Sequence, residues 1–167
     1  MKYSYKKSNK KKIIYIFFIA IIIVAILLFL QNLLFQDFLS TSGYVQMQLD
    51  KISYSDEIAI VHLKGECSLL DIYITAWQAS AIQSGVQGIG YRPGTHDIIT
   101  QVLEEHNIRP ILVKITKLQN TTYFAELYLR TWNHLSVLDI RPSDAMAIAS
   151  RTNTPIYVNE NLVIKNC

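Results

Sequence analysis

The sequence predicts an α+β domain, an antiparallel or mixed sheet with about three helices, behind one N-terminal transmembrane helix. Three observations lead there. Ile13 to Leu30 is an uninterrupted apolar run. The next part of the chain opens with three segments of strand character before any helical period begins. Strands and helices then come in separate runs, which fits α+β better than a parallel doubly wound sheet.

The apolar run comes first. Eighteen residues at about 1.5 Å per residue make roughly 27 Å of helix, enough for the hydrocarbon core of a bilayer. Residues 1–12 carry six lysines (Lys2, Lys6, Lys7, Lys10, Lys11 and Lys12) and no acid. A secretory signal peptide is the rival reading, but its apolar region is normally about 7–15 residues and ends at a small-residue cleavage site. Here Gln31-Asn32-Leu33-Leu34-Phe35 follows, and Ser40-Thr41-Ser42 is a poor site. The expectation is a cytoplasmic tail over 1–12, an uncleaved signal anchor over 13–35, a spacer over 36–43 and a domain over 44–167. The positive-inside rule would hold the lysines in the cytoplasm and put the domain outside a single-pass cell membrane.

Charge follows the same division. The six N-terminal lysines account for the basic balance, and residues 37–167 hold ten Lys and Arg against thirteen Asp and Glu, a net of −3. A mildly acidic domain argues against broad attraction to phosphate backbones. Cys67 and Cys167 lie 100 residues apart. An outer location permits a disulfide, yet nothing in the sequence brings them together, and no C-x-x-C spacing suggests a metal.

Within the domain, Tyr44–Tyr54 alternates with period two, and Ile58–Leu63 and Leu69–Ile74 complete an antiparallel meander. Thr75-Ala76-Trp77-Gln78 fits a capping box, so a helix is expected from Ala76 to about Ser84, ended by Gly85-Val86-Gln87-Gly88-Ile89-Gly90. That glycine run has the wrong spacing and context for a phosphate loop. Arg92-Pro93-Gly94-Thr95-His96-Asp97 then opens a second helix, with Ile98, Ile99, Val102, Leu103 and His106 at helical spacing. His106 reads there as a core histidine. Ile111–Leu118 and Tyr123–Leu129 form a hairpin around Gln119-Asn120-Thr121-Thr122, which is also an N-x-T sequon. His134–Ile140 is a strand, Arg141-Pro142-Ser143-Asp144 opens a third helix to Arg151, and Tyr157–Val158 and Leu162–Ile164 are short strands. Trp77 and Trp132 read as core or rim aromatics. The two Arg-Pro helix entrances hint at a degenerate internal repeat.

Arg92–Asp97, then Asp139-Ile-Arg-Pro-Ser-Asp-Ala-Met-Ala-Ile-Ala-Ser-Arg151, then Pro155-Ile-Tyr-Val158 resemble the bifunctional nuclease domain family. Asp71–Ile82 looks like that family's strand-to-helix segment, and the resemblance covers roughly Tyr44 to Lys165. It implies an α+β domain, often self-associating, with a name tied to cleavage of DNA and RNA. Gln78 stands where the family usually has Glu, and Gly94 where Leu is commoner.

Phosphodiester hydrolysis commonly needs a carboxylate-bound metal and cations for the transition-state charge. The candidates are Asp97 and Asp144 as ligands of Mg²⁺ or Mn²⁺, and His96 as ligand or general base. Arg92 and Arg141 would clamp phosphate with Thr95 and Ser143 beside them, since the guanidinium fork binds two oxygens at once. The expected partners are a membrane, nucleic acid and a second copy of the chain, and Asp97→Asn should abolish cleavage. Each residue also has a structural role open to it. Thr95 and Ser143 suit helix N-caps worth about 1 kcal/mol each, and the two aspartates suit first turns. Arg92–Asp144 and Arg141–Asp97 pairs would tie the two helix entrances together. A non-catalytic binding or assembly module is therefore the rival from a different class.

Overall fold

The structure, a computed structural model, describes residues 9–88 and 92–167. The first eight residues of the basic tail and residues 89–91 of the glycine run lie outside the described residues. The chain divides into two compact units, Met1–Ser40 and Thr41–Cys167.

The first unit holds helix α1, Asn9–Phe38. Its stretch Lys12–Leu30 is long and apolar enough to cross a membrane, by length and composition. The large side chains from Ile13 to Leu30 are exposed on every side. A helix apolar all round has no wet face to offer and is stable only in a core or a bilayer.

The second unit is a mixed eight-stranded sheet with three helices: β1 (Tyr44–Ser55), β2 (Ile58–Lys64), β3 (Ser68–Thr75), α2 (Ala76–Gln87), α3 (Thr95–Glu105), β4 (Arg109–Gln119), β5 (Thr122–Arg130), β6 (Leu135–Ile140), α4 (Pro142–Thr152), β7 (Ile156–Asn159) and β8 (Ile164–Lys165). The sheet order is β6-β5-β4-β7-β1-β2-β3-β8. Every pair is antiparallel except β4 with β7. The fold class is the α+β arrangement expected.

Alternation builds the core. Met47, Val61, Leu63, Leu70, Ile72, Val113, Ile115, Leu127 and Val158 point to one face and are nearly fully buried. Helix α4 lies in the middle of that face, with Ala145, Met146, Ala147, Ile148 and Ala149 all buried. Its small residues let it sit close to the sheet and to α2, which explains a buried helix with three alanines and two serines among its 11 residues. The β4–β5 turn uses Asn120 and Thr121 at φ of 47° and 66°, the left-handed pair that a two-residue hairpin demands.

The internal repeat lies elsewhere than in the Arg-Pro motifs. A three-stranded meander followed by a helix occurs twice, as β1-β2-β3-α2 and β4-β5-β6-α4, and the two halves run outward in opposite directions from the centre of the sheet. Arg141 is therefore the counterpart of Thr75, the N-cap of α2. Arg92 precedes α3, an insertion between the halves.

Several boundaries differ from the sequence reading. Helix α2 passes through Gly85 and ends at Gly88, whose φ of 62° makes it the left-handed C-cap. Residues 160–162 form a 3₁₀ turn, and the last strand is Ile164–Lys165. Helix α3 buries no residue fully. His106 is its exposed C-cap, donating through Nδ1 to Val102 O at 2.9 Å, so it is no core histidine. Trp77 and Trp132 are 88% and 94% exposed. Cys67 and Cys167 form a disulfide that ties the C-terminus to the start of β3, where β8 pairs with it.

Candidate functional site

The starts of α3 and α4 meet. Neither helix is capped by the hydroxyl expected: the N-caps are Gly94 and Arg141, which leaves Thr95 and Ser143 inside their first turns. Pro142 occupies N1, where its missing N–H costs nothing. Asp97 instead reaches back, its Oδ2 accepting the Gly94 N–H at 2.7 Å. Asp144, three residues past Arg141, accepts from Arg141 Nε at 2.6 Å and Nη2 at 3.2 Å.

The contact between the two entrances is His96 Nε2 to Asp144 Oδ1, 3.2 Å. An ionised carboxylate can only accept. Nε2 therefore carries the proton, and Nδ1 is left as the basic nitrogen. Both side chains are largely buried, at 17% and 22% exposed, while Arg141 is 70% exposed. Burial pushes the Asp144 carboxyl up, but the hydrogen bonds from Arg141 and His96 outweigh it and hold it below the ordinary carboxylate range.

Asp97 belongs to a different pair. Its Oδ1 accepts from Arg151 Nε at 2.5 Å. That bond first, and the Gly94 N–H second, hold its carboxyl below the usual range. Arg151 also donates from Nη1 to Ala81 O at 2.9 Å and Ala147 O at 2.7 Å. It thus stitches α2, α3 and α4 together. Gly85 makes room for it: a Cβ there would lie 2.7 Å from Arg151 Nη1 and 2.1 Å from Ser150 Oγ. An open cavity of about 370 Å³ beside this knot is lined by Ser84, Gly85, Arg92, Asp97, Thr100 and Arg151.

The cross-pairs of the sequence reading, Arg92–Asp144 and Arg141–Asp97, are thus replaced by Arg141–Asp144 and Arg151–Asp97. The structure joins His96, Asp144 and Arg141 at one point and Asp97 with Arg151 at another, where Arg92 lines the same cavity. Sequence alone gives Arg151, the last residue of the Asp139–Arg151 stretch, no evident role. Its signal was its place two helical turns after Asp144, on the same face of α4.

Residues 59–166, more than half of the chain, match the bifunctional nuclease domain. The chain belongs to the bifunctional nuclease domain family. An uncharacterized protein of Mycobacterium tuberculosis is 37% identical over 94 residues, 54% of this chain and 54% of the relative. Bifunctional nuclease 1 of Arabidopsis thaliana is 35% identical over 74 residues, covering 42% and 23%. Bifunctional nuclease 2 of Oryza sativa subsp. japonica is 28% identical over 102 residues, covering 59% and 31%. The chain spans about half the length, or less, of these curated relatives. The family match takes in α3, α4 and both clusters between them, so both clusters lie within the bifunctional nuclease domain.

The donor set does not make a metal cage. Among the described residues no three His, Cys, Asp or Glu side chains gather at one point. The oxygens of Asp97 already hold Arg151 and Gly94, and those of Asp144 hold Arg141 and His96.

Proposed function

We propose that this bifunctional nuclease domain cleaves phosphodiesters at the junction of α3 and α4. The His96–Asp144 contact carries the reading, because it gives a histidine whose tautomer and orientation are set by a carboxylate. In this reading His96 Nδ1 takes the proton from the attacking oxygen, a water or a ribose 2′-hydroxyl, as that oxygen bonds to phosphorus. The P–O bond to the leaving oxygen breaks, that oxygen takes a proton from water, and Asp144 steadies the imidazolium that results until it returns its proton to solvent. Arg141, exposed and anchored through Asp144, turns its remaining N–H groups to the phosphate. Arg92, on the rim of the neighbouring cavity, meets the next phosphate along. No step is assigned to Mg²⁺ or Mn²⁺.

The domain is further proposed to act on the outer side of a membrane, held there by α1. The six lysines before the apolar run support that orientation. So does the Cys67–Cys167 disulfide, a bond that persists in oxidising compartments and is rare in the cytosol.

The test uses the full chain in detergent with labelled single-stranded RNA and DNA, in Mg²⁺, in Mn²⁺ and in excess chelator. His96→Gln and Asp144→Asn should each lower cleavage by about 100-fold or more and keep the circular dichroism of the parent. Asp97→Asn should act first on stability, since its carboxylate faces Arg151. Cleavage that survives His96→Gln, or that never exceeds a mock preparation, overturns the reading. The second reading, a binding or self-assembly module, is favoured by the full engagement of both aspartates and by Gln78, which serves the capping box of α2. It predicts a light-scattering mass above that of one chain and no cleavage. The exposed Ile98, Ile99 and Val102 of α3 would then form the contact.

A further inference from the structure

The opposite face of the sheet carries a second constellation. Across β1, β2 and β3, Ser53 Oγ lies 3.0 Å from His62 Nε2, and His62 Nδ1 lies 2.7 Å from Asp71 Oδ1. Strand alternation fixes the face: Ile52, Val61, Leu63, Leu70 and Ile72 turn to the core under the helices, so Ser53, His62 and Asp71 turn away from it. Register fixes the order. His62 is the cross-strand partner of Asp71, and the irregularity in β1 between Leu49 and Lys51 sets Ser53 diagonal to His62, beside its own partner Ile60.

Donor arithmetic gives the row a direction. Asp71 can only accept, so Nδ1 of His62 bears the proton and Nε2 bears the lone pair. The Ser53 hydroxyl must then donate to His62. Serine to imidazole to carboxylate is the order that makes a serine nucleophilic, and both distances fall in the range that chemistry uses. The imidazole is 22% exposed and the Asp71 side chain 50% exposed. Tyr73, 68% exposed, stands two residues past Asp71 on the same face, and Ile58, 55% exposed, lies farther along that face, so that apolar surface runs on from the row. Lys51, the partner of His62 across β1 and β2, adds a cation to that face.

We propose that Ser53 is an activated nucleophile for acyl esters of short apolar or aryl groups, with His62 as its base and Asp71 as the positioning residue. Ser53 Oγ adds to the ester carbonyl carbon while His62 Nε2 takes its proton. The bond to the alcohol oxygen breaks, and that oxygen leaves with the proton from His62. Water then hydrolyses the acyl-serine through the same imidazole, giving the acid and regenerating the hydroxyl.

The experiment treats the full chain in detergent with a fluorophosphonate probe, from which Ser53 Oγ would displace fluoride, and locates the adduct by peptide mass spectrometry. Turnover of p-nitrophenyl butyrate is followed in parallel. An adduct on Ser53 is expected, with rates down by about 100-fold in Ser53→Ala and His62→Gln. Asp71→Asn should lose at least about tenfold and shift the pH profile of labelling, which a purely structural ladder would not do. Absence of label at Ser53 in the unaltered chain overturns the proposal without need of any variant, as does a labelling rate unmoved by His62→Gln.

Discussion

Arg151 is the residue on which the helical layer depends. Its guanidinium is 9% exposed and serves a carboxylate and two backbone carbonyls on three different helices. Removing it takes the cation from Asp97 Oδ1 and a hydrogen bond from each carbonyl, although Asp97 keeps the Gly94 N–H and Ala147 O keeps Ser150 Oγ, and breaking a buried pair costs more than the pair contributes. Arg151→Met should therefore cost about 2–4 kcal/mol in urea unfolding, toward the lower end because Asp97 is partly wet. Arg151→Lys should recover little, since an ammonium cannot reproduce the fork. The pH dependence follows from the same pair. The folded-state carboxyl of Asp97 lies below its unfolded value of about 3.9, so its contribution is present above roughly pH 4 and is lost as pH falls through the lower folded value. Asp97→Asn should be less stable at pH 7 and show a shallower loss of stability below about pH 4 in acid titrations. At this scale the sequence singled out Arg92, His96, Asp97, Arg141 and Asp144 but gave Arg151 no role, and it did not show who meets whom. Asp144 takes the arginine three residues before it, and Asp97 takes one 54 residues on, a choice made by the crossing of α3 over α4. His62 met the same limit: its partners come from neighbouring strands, and only the register names them.

Elements were easier to read than pairings, because period alone reveals them. The three opening strands, the β4–β5 hairpin and α4 were legible from alternation and turn chemistry. Gly85 was not, since a glycine at the end of a helical pattern looks like a stop. It lies inside α2 because α4 presses against it there, with Ser150 and Arg151 where a side chain would be. Gly85→Ala should push the two helices apart at a cost of about 1–3 kcal/mol, seen as a lower denaturation midpoint with an unchanged slope. Adding Ser150→Gly should restore part of it, because the nearest clash is with that hydroxyl. Gly88 offers the contrast: among the described residues nothing lies within 4 Å of its Cβ position, and its positive φ is what resists substitution. Gly88→Asn should be close to neutral, as asparagine tolerates the left-handed region. Helix α3 was legible as amphipathic, yet its apolar side is only partly covered. Pattern tells which face could be buried, not whether the rest of the chain arrives to bury it.

For the whole molecule, the sheet order was out of reach of the sequence because β7, only four residues long, is inserted between the two halves and joins them. A strand that short has too little pattern to announce a central place. The disulfide was hidden for a related reason: it forms because the two-residue β8 brings the C-terminus to the edge of β3. Closing a loop of that length removes much freedom from the unfolded chain, so Cys67→Ser should cost about 2–4 kcal/mol. The same bond makes the proposed orientation testable without any assay of activity. If the domain lies outside the membrane, Cys67 and Cys167 are sheltered from cytosolic reductants. Cells expressing the chain, quenched with acid and alkylated under denaturing conditions, should then yield a protein with no alkylated thiol until reductant is added. A protein alkylated at both cysteines without reduction would put the domain in the cytoplasm. The lysine tail would then lie on the other side of the bilayer, against the positive-inside rule, or α1 would not span at all. Moving the charge tests the cause: replacing the six lysines with glutamine should weaken the preference and raise the alkylated fraction, since these lysines carry the orientation signal.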